Sequence, residues 1–149
     1  MFFYDSSKLP IFAGVKTPGM YLYKHKVHYY ETDRMGVTHH SNYIRFMEEA
    51  RVAWLDAIGA SYAQIEADGV ISPVIGVEGR FLRTTTFDDE LEIEVYAKSM
   101  TSFKLKIGYT MRCKGEVVFE GWSLHCFLDK DGRPLAIDER YPQFREQLA

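Results

Sequence analysis

Tyr29-Tyr30-Glu31-Thr32-Asp33-Arg34-Met35-Gly36-Val37-Thr38-His39-His40-Ser41-Asn42-Tyr43, running into Ile44 to Ile58, decides the reading of this chain. It joins a strand-like segment to a long helix through a loop that carries one carboxylate, one glycine and two adjacent histidines. Ser41 or Asn42 stands where a helix N-cap is expected. A capped helix start leaves several backbone N–H groups free, and such donors can hold a developing oxyanion. Asp33 and His40 lie beside them in sequence. The residue types alone also admit a plainer reading, in which Asp33 closes a turn, Gly36 supplies a positive φ, and His39 and His40 are surface loop residues.

The helix is expected from about Asn42 to Ile58. At about 100° per residue, Tyr43, Ile44, Phe46, Met47, Ala50, Ala53, Trp54, Leu55, Ala57 and Ile58 spread over roughly 200° of its circumference. An arc that wide suits a helix wrapped by a curved sheet. Arg45, Glu49 and Asp56 take the other side. Arg51 falls inside the apolar sector one turn after Glu48, which predicts a partly buried i, i+3 pair of structural purpose. Gly59 ends the helix.

Before the loop, Tyr23, Val27 and Tyr29 alternate with Lys24, Lys26 and His28, the period of a strand with one buried face. His25 shares the apolar face and is expected to be a satisfied core histidine. After the helix come a short helical or irregular lid from Ser61 to Asp68, then strands at about Val70 to Arg83, Leu91 to Ser99, Phe103 to Cys113 and Glu116 to Leu128. Lys114-Gly115 and Asp131-Gly132 are turn signals, and Tyr141 to Leu148 suits a final short helix. One long helix followed by four antiparallel strands is an α+β arrangement. Residues 1–20, with Pro10, Gly14, Pro18 and Gly19 and no sustained period, read as an irregular extension preceding one domain at 21–149.

Composition narrows the function. The 149 residues suffice for one domain, and a formal net charge of -3 with no lysine- and arginine-rich stretch argues against a nucleic-acid or membrane-surface partner. Apolar runs are too short to cross a bilayer and no signal-peptide pattern opens the chain, so a cytoplasmic location is the default. Cys113 and Cys126 lack metal-like spacing. No cofactor loop of the Walker or Rossmann kind is present, no G-x-S-x-G elbow, and adjacent His39 and His40 lack the spacing of a helical metal pair, so no metal is expected.

The pattern Tyr29-x-Glu31-Thr32-Asp33-x-x-Gly36-Val37-x-x-His40-x-x-Tyr43, followed by Phe46-Met47-Glu48-x-Ala50-Arg51, resembles the signature of the hot-dog fold acyl-CoA thioesterases of the 4-hydroxybenzoyl-CoA thioesterase type. The likeness is most specific over residues 27–58 and looser to about residue 140. It implies a hot-dog fold, a long central helix wrapped by a curved antiparallel sheet. It also implies hydrolysis of an acyl-CoA thioester, with Asp33 as nucleophile or general base and His40 at the head of the central helix.

On that basis the backbone N–H near His40 would polarise the carbonyl. Gly36, Ser41 and His39 would help position the site, although His39 on a regular backbone points away from its neighbour. Tyr43 and Met47 would line an acyl pocket. Lys98 and Lys104, with Lys106 near the same turn, would meet the nucleotide of coenzyme A, although Ser99, Met100, Thr101 and Ser102 fill a turn that is arginine-rich in the aryl-CoA enzyme. The resemblance further implies a homo-oligomer, a dimer or tetramer of hot-dog subunits with the site at a subunit boundary. Two other functions stay open: a hot-dog dehydratase or hydratase acting on acyl thioesters, and a catalytically silent module that binds acyl-CoA.

Overall fold

The structure, a computed structural model, describes residues 19–148. The expected N-terminal extension therefore lies outside the described residues except for Gly19 and Met20. Strand β1 already begins at Met20 (Met20–Lys26). A single 3-10 turn, Tyr29–Glu31, leads to the loop and then to α1 (Ser41–Ala57). A short α2 (Tyr62–Ala67) follows, where a lid was expected, with Ser61 as its N-cap accepting from the Gln64 N–H.

Four strands complete one antiparallel sheet: β2 (Val74–Phe81), β3 (Glu90–Met100), β4 (Lys104–Cys113) and β5 (Glu116–Cys126). The order across it is β1-β3-β4-β5-β2, so β1 and β2 are the edges. Two short helices follow: α4 (Gln143–Glu146) falls within the expected Tyr141 to Leu148, and α3 (Ile137–Arg140) precedes it.

Alternation along the strands sets the two faces of the sheet. Leu91, Ile93 and Val95 of β3, Leu105, Ile107, Tyr109 and Met111 of β4, and Phe119, Ser123 and His125 of β5 are buried. Onto this face α1 lays Phe46, Met47, Ala50, Trp54 and Leu55, all buried. Truncating a ring such as Phe46 to alanine would cost about 3–5 kcal/mol. Close packing beneath β2 is arranged by glycine: a Cβ on Gly79 would sit 2.6 Å from the Phe119 ring.

The apolar sector of α1 is narrower than its composition suggested, because Ile44 and Ala57 are exposed. Arg51 does not pair with Glu48. Its Nη1 donates instead to the Tyr109 hydroxyl on β4, 3.2 Å away. Tyr29 is no strand residue either. The backbone turns after Lys26, with Val27 N–H donating to Asp89 O and Asp88 N–H to Val27 O, and Tyr29 is left 78% exposed. His25 is the core histidine expected of it, with Nε2 2.8 Å from Glu31 Oε1 and Nδ1 3.1 Å from Glu49 Oε2.

Candidate active site

The loop between the 3-10 turn and α1 closes on itself. Thr32 and Thr38 form an antiparallel bridge, Asp33 N–H donates to Val37 O, and Gly36 N–H donates to Asp33 O. That path needs φ +82° at Gly36, which favours glycine there. Within the turn Asp33 is half-buried. Its Oδ1 accepts from the Met35 N–H at 2.8 Å, and its Oδ2 has no partner among the described residues. One oxygen is thus fixed and the other is unengaged among the described residues.

Three anchors hold this loop to the body of the protein. Thr38 Oγ1 and Thr85 Oγ1 lie 2.6 Å apart in the interior, and the Tyr43 hydroxyl sits 3.0 Å from the same Thr85 oxygen. Thr86 Oγ1 donates to Gly36 O. Asn42 Nδ2, at the head of α1, donates to Glu31 O at 2.8 Å. These bonds tie the carboxylate turn and the helix start to the same framework.

The helix start differs from the expectation. His40 occupies the cap position with helical backbone angles and no side-chain cap, and neither Ser41 nor Asn42 caps. Ser41 Oγ instead lies 2.8 Å from His39 Nδ1, which also accepts the Ser41 N–H. Asn42 N–H donates to His39 O and Tyr43 N–H to His40 O. Of the several donors expected to be free, the His40 N–H is the one left without an acceptor among the described residues at this turn. His39 does not point away from its neighbour: the two exposed rings lie 4.2 Å apart, because the backbone here is a turn.

Tyr43 and Met47 are 3% and 1% exposed and belong to the core. Burial pushes the Tyr43 phenol above its ordinary pKa. The ring of Tyr43 stacks on Phe119 and meets Phe81 edge-on, and Phe81 is 54% exposed. Phe81, Leu82, Phe87, Tyr29, Tyr30 and Met35 are all exposed apolar side chains on the segments around the carboxylate turn.

Lys98 and Lys104 are not brought to that turn within one chain. Thr85 and Thr86 precede β3, whereas Lys98 lies eight residues along it from Glu90, about 27 Å at strand spacing. It lines a groove on the outer sheet face with Arg80, Tyr96 and Trp122, and Lys106 lies over the Trp122 ring at 4.2 Å. Lys104 is exposed at the opposite end of the sheet from Asp33.

Sequence reasoning missed Thr85, whose link to Thr38 spans 47 residues and leaves no local pattern. It also missed the one group among the described residues able to hold a metal ion: His25, His28 and Glu31, with ligand atoms within 4.8 Å of one another. Their spacing, His-x-x-His-x-x-Glu, was visible. Both ring nitrogens of His25 already lie within 3.1 Å of carboxylate oxygens of Glu31 and Glu49, so neither is free for a metal ion.

Comparison with known proteins gives this geometry a family. The model of the thioesterase-like superfamily matches residues 27–148. The chain is 28% identical over 121 residues to YneP of Bacillus subtilis, provisionally named an acyl-CoA thioesterase, covering 80% of this chain and 88% of that one. It is 28% identical over 126 residues to the 1,4-dihydroxy-2-naphthoyl-CoA hydrolase of Prochlorococcus marinus, covering 80% and 83%. The DHNA-CoA thioesterase of Staphylococcus aureus superposes with a TM-score of 0.80 at 25% identity, over 87% of this chain and 88% of that chain. The signature before α1, the sheet order and these matches agree, and the protein belongs to the thioesterase-like superfamily with its hot-dog fold.

Proposed function

We propose that the protein hydrolyses an acyl-CoA thioester to a free acid and CoA, with Asp33 supplying the attacking or base-catalysing carboxylate. The observation that carries this reading is a half-buried Asp33 carboxylate, one oxygen fixed by the Met35 N–H and the other without a partner among the described residues, on the loop that leads into α1, where the His40 N–H has no acceptor among the described residues. Family membership supplies the chemistry to which such a pair is suited.

In the first route Asp33 attacks the thioester carbon, the C–S bond breaks, CoA thiolate leaves, and water hydrolyses the mixed anhydride. In the second, Asp33 takes the proton of a water that attacks the same carbon. Either way negative charge gathers on the carbonyl oxygen. In this reading the His40 N–H, which lacks an acceptor among the described residues, holds it, and losing such a donor costs about 3 kcal/mol of transition-state stabilisation. His40 and His39, with Ser41 steadying the His39 ring, border that oxygen, and Gly36 sets the turn.

An aryl-CoA substrate fits best. The relatives from Prochlorococcus and Staphylococcus carry an aryl-CoA compound in their names, and these names are of the 1,4-dihydroxy-2-naphthoyl-CoA type rather than the 4-hydroxybenzoyl-CoA type that the signature resembles. Phe81, Phe87, Tyr29 and Met35 offer flat apolar surface beside the carboxylate turn. Strand β2 is an open edge with Val74, Ile75, Val77 and Phe81 exposed, a surface a second copy would cover. A homo-oligomer built there sets the site at a subunit boundary, which is also how Lys98 and Lys104 would reach the nucleotide. No described helix is long and apolar enough to cross a membrane, and a cytoplasmic enzyme is the reading we adopt.

The test is release of CoA from a panel of aryl- and acyl-CoA thioesters, followed with a thiol reagent. Aryl thioesters are expected to turn over fastest. A protein that altered the acyl chain without freeing CoA, or bound without turnover, would contradict the proposal.

A further inference from the structure

A second polar site lies under the middle of α1. Arg51 is eleven residues from His40, about 16 Å along the helix axis at helical rise. It lines a cavity of about 30 Å³ with Tyr62, Ser72 and His125 among apolar neighbours including Leu55 and Phe127. Arg51 is half-buried and has no carboxylate within ion-pair distance among the described residues. Its hydrogen bond goes to the Tyr109 hydroxyl.

From that bond the proton positions follow along a buried chain. A guanidinium can only donate, so the Tyr109 oxygen accepts. Its own proton then faces Ser123 Oγ at 2.7 Å, and the Ser123 proton faces His125 Nε2 at 2.7 Å. The reverse order would leave the buried Tyr109 proton without an acceptor. His125 is held neutral, since burial first and the Arg51 charge second push its pKa down to about 3. A neutral ring accepting at Nε2 carries its hydrogen on Nδ1. That Nδ1–H has no partner among the described residues, on a side chain 3% exposed that lines the cavity.

We infer that this cavity is a binding site for a carboxylate, whose two oxygens would accept from the Arg51 guanidinium and the His125 Nδ1–H. The size agrees: a water-sized group needs about 10–15 Å³, so 30 Å³ takes the two oxygens and little else. An apolar body would lie in the adjoining cleft of about 390 Å³, which shares Tyr62 and Ser72 with the cavity and is lined by Val70, Ile71 and Pro73. Glu66 and Lys130 line that cleft, one residue of each charge. The ligand is thus a carboxylic acid with an apolar body, either a free acid or the far end of an acyl group bearing a second carboxylate.

Calorimetric titration of the full chain with hexanoate and with hexanamide tests the site independently of any turnover. Hexanoate is expected to saturate, with the amide about tenfold weaker or worse. Arg51→Gln should weaken hexanoate about tenfold or more. Ser72→Asp, which puts a competing carboxylate into the cavity, should do the same, and it serves if Arg51→Gln fails to fold. On nitrogen-correlated spectra the His125 Nδ1–H signal should shift with hexanoate. No saturable binding, equal binding of the amide, or binding unmoved by the folded variants would overturn the inference. The source is separated by CoA release: a free-acid site makes hexanoate change the turnover of a plain acyl-CoA without raising its KM. A distal-carboxylate site makes Ser72→Asp raise KM for a thioester ending in a second carboxylate and for no other.

Discussion

Replacing Thr85 by valine removes one hydroxyl and almost no volume, yet two buried hydroxyls depend on it. Thr38 Oγ1 at 2.6 Å and the Tyr43 hydroxyl at 3.0 Å both meet Thr85 Oγ1, and all three residues are buried. A buried polar group left unsatisfied costs about 1–3 kcal/mol. Thr38 and Tyr43 are close enough to pair with each other in part, so the loss should fall between one and two such groups, about 2–3 kcal/mol. For a chain of this size that is a fall of roughly 4–12 °C in Tm. Urea unfolding is the assay, with the midpoint lowered and the slope m unchanged. Because the same oxygen ties the carboxylate turn to α1, CoA release should also decline in the folded variant. A stability change below about 0.5 kcal/mol would refute the claim that this hydroxyl anchors the loop.

Other consequences follow from the same structure. Gly79→Ala places a Cβ 2.6 Å from the fully buried Phe119 ring and should destabilise by about 1–3 kcal/mol in the same urea assay. Val77→Asp puts a charge on the open edge strand, and sedimentation should show a smaller species than the unmodified protein. His125 titrates near 6.5 unfolded and at about 3 folded, so between those values the unfolded chain binds the extra proton. Its stabilising contribution is complete above pH 6.5 and is lost as pH falls toward 3, by at most about 1.4 kcal/mol per pH unit. His125→Gln should flatten that part of the stability profile.

Local patterns recovered the framework. The long apolar arc ending at Gly59 placed α1 within one residue at each end, and strict alternation from Phe103 to Cys113 placed β4, Lys104–Cys113, within one residue. The segment from Val70 was cut to β2 at Val74, with Ile71 left in an isolated bridge to Leu128. Contacts between residues distant in sequence were not legible. Arg51 preferred a tyrosine 58 positions away to the glutamate one turn before it, and Thr85 had no motif to mark it. The site was half legible for the same reason. Asp33, Gly36 and His40 lie within eight residues on one loop and could be read together, while the placement of Lys98 and Lys104 depends on where β3 and β4 run in three dimensions. The pairing of His39 with Ser41 replaced an expected cap because the backbone turns before the helix begins.

The central claim is that the Asp33 carboxylate and the His40 N–H act together on one thioester carbonyl. Asp33→Asn tests it most directly, since the amide oxygen can still accept from the Met35 N–H and preserve the turn. Single-turnover release of CoA from an aryl-CoA substrate should fall by about 10²–10⁴-fold with the unfolding midpoint unchanged. Release at the unmodified rate from the folded variant would contradict the account.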